Sequence, residues 1–469
     1  MENWWNQSIR FVKNLKLHTE PIILLIALCN GARNVLQPHL SEAKMERSYI
    51  PPAGLDPPAV KRYYNKRMVQ WEQYYSYVNM PTVCIMGLFY GAYSDRKGRK
   101  LPILMGILSN LIDTLIRTLV WWDVVDLDLN WLFLDAIING LMGGTALIMV
   151  NAYLVDKFKS KALSVRMILF STVFSLGGLI GVQSSSLLVT CFGYITVLFL
   201  IQLILVLNFL FALFILDNEI PHKSESVESL GDVPSSHDQP TLCHMFNQGV
   251  KGLCDSLRIF TRRRPGHSRL FLYMCFFVNF LDQMIFSEEM DLIGVYTRLS
   301  PFNWDTEQYA VFKTLRPIVI LLGMLFGVVV LKGVLKLRDT LIIVLSILSM
   351  GSAALVIGLA SSSTLVYLSL IAGSLHGLLT PLAYTFLANL VFLDEVGKTF
   401  ALTAIAAKLA VMGQSLILQN VYIWTVDWYQ SFIWLLLAAL SFGSASAYCV
   451  MDVMAKKEGI GQESNEEND

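Results

Sequence analysis

The sequence predicts an all-α membrane protein with twelve transmembrane helices in two six-helix bundles and both termini in the cytosol. Three observations predict this class: an apolar composition, a series of long apolar segments, and one polar gap that divides the series in half. Of the 469 residues, 54% are hydrophobic and 15% are charged. A soluble domain carries about 25% charged residues, so this chain has too little polar surface for a globule in water. We therefore expect a lipid bilayer as its environment.

The apolar segments are long enough to cross a bilayer, which takes about 20 residues of helix. We find twelve of them, at residues 20–39, 74–94, 101–123, 131–153, 166–190, 193–216, 270–292, 307–331, 339–361, 364–393, 398–424 and 430–451. The fifth and sixth segments separate around Phe192 and Gly193. The predicted organisation is a cytosolic N-terminus, an N-terminal bundle, a cytosolic linker, a C-terminal bundle and a disordered tail, at residues 1–19, 20–216, 217–269, 270–452 and 453–469.

Basic residues set the orientation of these segments, because loops rich in Lys and Arg stay in the cytosol. Most Lys and Arg residues fall on the side of the N-terminus, so both termini are expected on the cytosolic side. Within the linker, Met245–Phe260 fits either an amphipathic helix on the inner leaflet or ordinary flanking sequence. The formal net charge of zero gives no reason to expect a nucleic-acid partner.

Polar side chains inside the spans recur on the first helix of each successive group of three. Polar groups are costly in a bilayer, so such positions usually line a site or a water-filled cavity. Their helical spacing places them on one face of each helix. This period predicts four three-helix repeats around a shared cavity. The predicted cavity residues are Asn30, Arg33, Asn34, Gln37, Asp135, Asn139, Asn279, Asp282, Gln283, His376 and Tyr384.

Several ionisable residues of the N-terminal spans have competing interpretations. Asp113 and Arg117 are spaced i, i+4, which favours a structural ion pair on one helix. Arg33 fits an ion pair with Asp135, but its guanidinium also suits two parallel hydrogen bonds to an anionic ligand. The sequence leaves both interpretations of Arg33 open.

Span seven carries two acids that are candidates for binding a coupling proton, Asp282 and Glu289. Buried carboxyl groups can bind protons near neutral pH. An alternative for Asp282 is a static ion pair with Lys408 of span eleven. Near one end of span eight, Lys313 and Arg316 come within reach of Glu289 and its acidic neighbours.

The loop between spans two and three, "GAYSDRKGRK", concentrates charge between two apolar segments. It resembles the signature of the major facilitator superfamily, Gly-x-x-x-Asp-Arg-x-Gly-Arg-Arg/Lys, which it matches at Gly91, Asp95, Arg96, Gly98, Arg99 and Lys100. Gly98 permits a tight turn with positive φ. Asp95 can face the positive N-terminus of span eleven near Lys398, and Arg99 can hold Asp95 or Asp156. The resemblance implies a latch that closes the cytosolic side of a transporter.

Further motifs resemble the subfamily of the proton-coupled folate transporter. They are Glu20-Pro21, "AYLVD" at 152–156, "VYTRLSPFNW" at 295–304, "TPLAY" at 380–384 and "LDEVGKTFAL" at 393–402. The resemblance implies transport of an organic anion, either folate- or pterin-like or a small peptidoglycan fragment, with a proton as candidate coupling ion. The chain departs from the subfamily at Ser171, Phe286 and Tyr384, where an acid, a histidine and an arginine are expected. It is therefore identified as a divergent member.

These observations favour a secondary-active transporter of a small organic solute, working by alternating access, rather than an enzyme. The sequence shows no nucleophile–base set, no metal-ligand cluster and no phosphate-binding loop, so neither a cofactor nor ATP driving is expected. The alternative is a receptor or scaffold that has kept the transporter fold without transport. Neither tail carries a lysosomal sorting signal, which favours the plasma membrane over the lysosomal membrane.

Overall fold

The computed structural model describes residues 19–142, 146–157, 160–217, 257–262, 264, 266–392 and 395–457. Within these residues, all regular structure is helical and no strand occurs. The α-helices are α1 Glu20–Ser48, α2 Pro57–Lys97, α3 Lys100–Trp121, α4 Trp131–Leu141, α5 Ala146–Lys157, α6 Ser160–Phe192, α7 Tyr194–Ile215, α8 Ser268–Tyr296, α9 Thr306–Phe326, α10 Asp339–Gly358, α11 Ser363–Ala372, α12 Leu379–Leu390, α13 Val396–Thr425 and α14 Phe432–Lys457. The predicted N-terminus up to residue 18, most of the linker and the tail from residue 458 lie outside the described residues. Residues 453–457, which were predicted to belong to the disordered tail, are helical and form the end of α14.

Nine stretches of the described chain are helical, long and apolar enough to cross a membrane. They correspond to predicted span three and to predicted spans five to twelve. Spans one, two and four are helical as well, as α1, α2 and α4–α5, but they do not reach the same hydropathy and length. The reason in α1 and α2 is the polar residues that they carry; residues 143–145, between the two helices of span four, lie outside the described residues. The twelve-span count and the cytosolic termini stay predictions.

Glycines mark the points where successive helices separate. Gly193 has φ of 78° and lies between α6 and α7, so the predicted split of the fifth and sixth spans is confirmed. Gly98 has φ of 99° and lies between α2 and α3, which confirms the predicted turn in the charged loop. Glycine adopts this left-handed backbone without the penalty that a Cβ imposes.

Predicted span ten is interrupted, which the sequence pattern did not indicate. After α11 the chain forms a 3-10 segment, Ser374–Leu378, before α12 begins. At this break Gly323 of α9 comes so close that a Cβ there would lie 2.2 Å from the carbonyl oxygen of Ser374. Broken helices at membrane depth are characteristic of transporter binding sites, because they re-aim polar side chains.

The chain divides into two compact units, each described separately below. The first unit comprises Met1–Leu36 and Ile85–Met245. Its buried core includes Ile22, Ile103 and Val150 from α1, α3 and α5. Here α1 and α6 touch backbone to backbone, since a Cβ on Gly181 would come 2.0 Å from the carbonyl oxygen of Leu28. Small residues allow this close approach of two helices in a membrane.

The second unit comprises Gln37–Cys84 and Phe246–Asp469. Its core joins α8, α10, α12 and α14 around buried residues such as Phe271, Ile343, Phe386 and Tyr448. Sequence reasoning placed residues 37–84 in the N-terminal bundle, whereas their contacts are with this unit.

Hydrogen bonds explain why residues 37–84, which we call the 37–84 segment, belong to the second unit. The amide nitrogen of Asn65 donates to the carbonyl oxygen of Val295 at 2.6 Å, and the hydroxyl of Tyr422 donates to the amide oxygen of Asn65 at 2.5 Å. Gln73 donates to the carbonyl oxygen of Ser415 at 2.8 Å. The segment is therefore attached to α8 and α13 by groups that are largely removed from water.

Candidate functional site

A cluster of two acids and two arginines lies in the first unit. The guanidinium of Arg33 on α1 contacts the carboxylate of Asp113 on α3 and lies 3.0 Å from the hydroxyl of Thr114. Arg117 Nε donates to Asp113 Oδ1 at 2.8 Å, so the predicted i, i+4 pair is confirmed. Arg117 Nε also lies 3.7 Å from Asp135 Oδ2 on α4. Two basic and two acidic side chains thus lie together in a largely buried volume.

This cluster decides between the interpretations of Arg33. The pairing of Arg33 with Asp135 is wrong, because the carboxylate that Arg33 contacts is Asp113. Asp113 lies outside the polar faces that the sequence pattern predicts. Its second partner, Arg33, becomes visible only because α1 packs against α3. Asp135 is fully buried, and neither of its carboxylate oxygens has a hydrogen bond within the described residues. Arg33 is thus engaged by protein groups and less available for a ligand.

An open cleft lies in the second unit between α8, α12 and α13. Four of the predicted cavity residues line it together, which brings polar positions of spans seven and ten to one place. Aromatic rings and small apolar side chains form the rest of the wall. The lining residues are Phe276, Asn279, Phe280, Asp282, Gln283, Leu379, Thr380, Ala383, Tyr384, Leu387, Thr403, Ala406 and Ala407.

Asp282 in this cleft is paired with His376, which the helix break presents to it. His376 Nε2 lies 3.2 and 3.1 Å from the two carboxylate oxygens of Asp282. The ring of Phe286 stacks on the imidazole with centroids 5.2 Å apart. The alternative pairing of Asp282 with Lys408 is therefore wrong. Lys408 is exposed and has neither a hydrogen bond nor an ion pair within the part of the chain that the structure describes.

Further along α8, Glu289 forms a buried ion pair with Arg316 of α9. Arg316 Nη1 donates to Glu289 Oε1 at 2.5 Å, and Nη2 contacts the other oxygen, so the pair is bidentate. Both side chains are buried. A bidentate guanidinium stabilises the ionised carboxylate strongly. Asp282 and Glu289, the two acids predicted to bind a coupling proton, are thus each paired with a basic residue, His376 and Arg316 respectively.

The remaining predicted cavity residues are spread more widely. In the first unit Asn30 and Asn139 are partly exposed and Asn34 is exposed. In the second unit Gln37 donates to Glu72 Oε1 at 2.9 Å. Gln37 belongs to the same unit as the α8–α12–α13 cleft but is not one of the residues that line it.

The charged loop is described only in part. Arg99 donates to the hydroxyl of Ser94 across the turn at Gly98, and α3 begins at Lys100. The structure describes the backbone, but not the side chains, of the residues that complete the predicted latch and its partner on α13: Asp95, Arg96, Asp156 and Lys398. The same holds for Gly91 and for the departure position Ser171. The latch stays a prediction.

Buried acids also tie helix ends together away from the cleft. Glu20 at the start of α1 contacts Arg166 of α6. Glu395, just before α13, accepts hydrogen bonds from Arg262 at 2.8 Å and Arg264 at 2.6 Å. Burial pushes the pKa of Glu395 upward, but the hydrogen bonds and charges of the two arginines outweigh burial and hold the pKa below its ordinary value.

Comparison with known proteins decides the family. A family model described as Major Facilitator Superfamily matches residues 57–415. The chain belongs to this superfamily. Its all-helical structure, its membrane-spanning helices and its signature loop agree with that membership. The superfamily consists of transporters, and the prediction that the chain is not an enzyme is confirmed.

Two curated relatives place the transporter near solute carrier family 46. It is 23% identical over 363 residues to a Drosophila melanogaster protein named as a probable peptidoglycan muropeptide transporter, SLC46. It is 26% identical over 381 residues to a Mus musculus protein named as the lysosomal proton-coupled steroid conjugate and bile acid symporter SLC46A3. These matches cover 74% and 78% of this chain, and they span 66% of the fly protein and 76% of the mouse protein. The predicted divergent membership is thereby confirmed.

Solved structures show the same fold at low sequence identity. The POT family transporter PepTSo matches with a TM-score of 0.65 and 15% identity, covering 94% of this chain and 99% of that one. The human organic anion transporter MFSD10 (TETRAN) matches with a TM-score of 0.57 and 17% identity, covering 91% and 97%. At this identity the likeness establishes the fold alone.

Proposed function

We propose that this transporter moves a small amphipathic organic anion across a membrane by alternating access, with the proton as coupling ion. The observation that carries this proposal is the cleft between α8, α12 and α13. It is concave, opens within helices that cross the membrane, and combines an apolar wall with a few convergent polar groups. Such a combination is typical of small-molecule sites.

The cleft offers two kinds of surface to a ligand. Phe276, Phe280 and Tyr384 supply aromatic faces against which an apolar body can pack. Asn279 and Gln283 supply amide donors and acceptors on the α8 side. A solute that is polar at one end and bulky and apolar at the other fits both surfaces.

Charge favours an anionic solute. Asp282 lies at hydrogen-bond distance from His376, so its carboxyl group already has a partner within the protein. Lys408 follows the lining residue Ala407 on α13, is exposed, and has no partner within the described residues. An ionisable residue within a membrane span without a protein partner usually serves a ligand or an ion. We therefore assign Lys408 as the cation that attracts the anionic group.

The substrates named for the two relatives are consistent with an amphipathic anion. Muropeptides, steroid conjugates and bile acids all join an anionic group to a larger body. The two departures from the folate transporter subfamily also point away from folate, because Phe286 stacks on His376 and Tyr384 lines the cleft. Both positions thus contribute aromatic surface where the subfamily has ionisable groups.

An uptake experiment tests the proposal. Cells that express the protein are given labelled muramyl dipeptide, estrone sulfate, taurocholate and folate at acidic and neutral pH. We expect uptake of at least one of the first three and a rise at acidic pH. Lys408→Gln should lower anion uptake about tenfold, the effect of losing roughly 1.4 kcal/mol of binding. Lys456→Gln, which removes an exposed lysine at the end of α14, is the matched control and should leave uptake unchanged.

Two outcomes would contradict the proposal. An equal loss of anion uptake in Lys408→Gln and Lys456→Gln would show that Lys408 does not attract the anionic group specifically. Normal delivery to the membrane without uptake of any probe would favour the receptor or scaffold alternative. The same cells, fractionated, test our proposal that the protein resides in the plasma membrane rather than the lysosomal membrane named for the mouse relative.

A further inference from the structure

Glu288 has a buried carboxyl group that neither lines the cleft nor belongs to the ion pairs described above for the second unit. Its side chain lies on α8, and the residue is 1% exposed. Gln414 Nε2 on α13 donates to Glu288 Oε2 at 2.5 Å. The other oxygen, Oε1, has no hydrogen bond within the described residues. One neutral amide is therefore the only hydrogen-bond donor that the structure shows for this acid.

The groups around Glu288 include no cation within the part of the chain that the structure describes. Asp291 faces it from the same helix, and Gln414 and Tyr422 face it from α13. Beyond Asp291 lie other charged groups from further elements: Lys313 of α9, Glu72 of α2 and Glu289 of α8. Glu288 thus differs from the two other acids of this helix, Asp282 and Glu289, which have a histidine and an arginine.

An ionised carboxylate is stable in a buried site only with a cation or several strong hydrogen-bond donors. Glu288 has neither, so its neutral, protonated form fits the observed surroundings. The protonated oxygen removes the charge, and the carbonyl oxygen keeps the bond from Gln414. We propose that Glu288 is the proton-binding residue of this transporter, an assignment that rests on the proposed function of proton-coupled transport.

Asp291 gives the buried carboxyl a route to water. It lies one helical turn beyond Glu288 on α8 and is exposed. Gln414 Nε2 lies 3.5 Å from Asp291 Oδ2 and 2.5 Å from Glu288 Oε2, so it bridges the two acids. A proton taken up at Asp291 is therefore separated from Glu288 by only the side chain of Gln414.

The same stretch of α13 also carries the 37–84 segment. Ser415, the residue after Gln414, accepts a hydrogen bond from Gln73 of α2. Tyr422, two turns further along α13, donates a hydrogen bond to Asn65 of α2. Loss of the proton from Glu288 would place a second negative charge beside Asp291, which already faces Glu72 of α2. Like charges that lie close together repel one another, and the cost is greater because Glu288 is buried. Proton release thus disfavours the packing of the 37–84 segment on α13, which links the proton to a conformational change.

Two neighbouring glutamates allow a matched experiment with chemically identical substitutions. Glu288→Gln imitates the protonated acid and keeps a partner for Gln414. Glu289→Gln removes the charge that pairs with Arg316. Purified wild-type protein and both variants are placed in lipid nanodiscs, and the infrared carbonyl band of protonated carboxylic acids is followed from acidic to alkaline pH. Uptake and counterflow of labelled estrone sulfate are measured in proteoliposomes with and without an inward proton gradient.

We expect Glu288→Gln, but not Glu289→Gln, to remove one protonated-carboxyl band that the wild type shows at neutral pH. In Glu288→Gln the ratio of gradient-driven uptake to counterflow should fall about tenfold for a gradient of one pH unit, since one proton then contributes a factor of ten. Because glutamine resembles the protonated acid, this variant should also fold and reach the membrane.

Three results would overturn the assignment: an unchanged infrared band, a wild-type ratio of driven uptake to counterflow in Glu288→Gln, or failure of this variant to fold. The infrared measurement needs no substrate, so it tests Glu288 even if estrone sulfate is not carried. Conversely, uptake that ignores the proton gradient in the wild type would refute proton coupling while leaving transport intact.

Discussion

Replacing Glu289 with glutamine would leave the guanidinium of Arg316 buried without its counter-ion. In the wild type the two side chains form a bidentate pair in which both are less than 10% exposed. Removing one partner of a buried ion pair costs about 3–5 kcal/mol, because the other charge stays desolvated and uncompensated. Replacing the whole pair by apolar groups of similar volume is close to neutral in other proteins. We therefore expect Glu289→Gln to destabilise the protein by about 3–5 kcal/mol, and the double variant Glu289→Gln with Arg316→Met to recover most of that loss.

A double-mutant cycle measures this coupling. The two single variants and the double variant are unfolded in mixed micelles by increasing denaturing detergent, and the free energies of unfolding are compared. If each single variant costs about 3–5 kcal/mol and the double variant is close to neutral, the two single effects together should exceed the double effect by roughly 5 kcal/mol or more. The reasoning is refuted if Glu289→Gln costs less than about 1 kcal/mol, the size of an exposed pair, or if the two single effects simply add.

Two further predictions concern helix contacts and pH. Gly181→Ala should cost about 1–3 kcal/mol, as overpacking does, because its Cβ would meet the backbone of Leu28; Gly178→Ala, where a Cβ has open space, should be close to neutral in the same unfolding assay. The pKa of Glu395 is lower in the folded protein than its ordinary value, so its ionised form contributes stability above about pH 4.5 that is lost as pH falls through the lowered folded pKa. The thermal midpoint of Glu395→Gln should therefore change less than that of the wild type on acidification through this range; equal sensitivity would contradict the assignment.

Much of the fold follows from apolar segments whose length matches the bilayer. Every predicted span falls on a helix or on successive helical pieces within the described residues. The separation at Gly193 was predictable, because glycine marks a position where the backbone can leave the helix. The break at Ser374–Leu378 was not predicted, because the apolar pattern continues through it. Gly373, Gly377 and Pro381 weaken the helix locally, and Gly323 of another helix packs closely against the break.

In the site, too, the sequence predicted which residues share a helix face but not which residues they contact on other helices. Polar periodicity placed Asn279, Asp282 and Gln283 on one face of α8, and these residues do line one cleft. It could not choose the partner of Asp282, because the 3-10 break rotates His376 toward it while Lys408 stays exposed.

Glu288 shows why neighbouring acids need a structure to be distinguished. It lies off the polar face that made Glu289 a candidate proton site. The environment of each carboxyl is set by another helix: Arg316 of α9 meets Glu289, and Gln414 of α13 meets Glu288. The spacing of residues along α8 therefore cannot predict which partner each carboxyl group has.

The central claim is that the proton gradient drives an amphipathic organic anion through this protein. The most direct measurement is accumulation of labelled estrone sulfate or muramyl dipeptide in proteoliposomes across an imposed pH gradient at fixed membrane potential. The account predicts accumulation that rises with the inward proton gradient and collapses when a protonophore dissipates it. Accumulation of neither probe, or accumulation that is the same with and without the gradient, would contradict it.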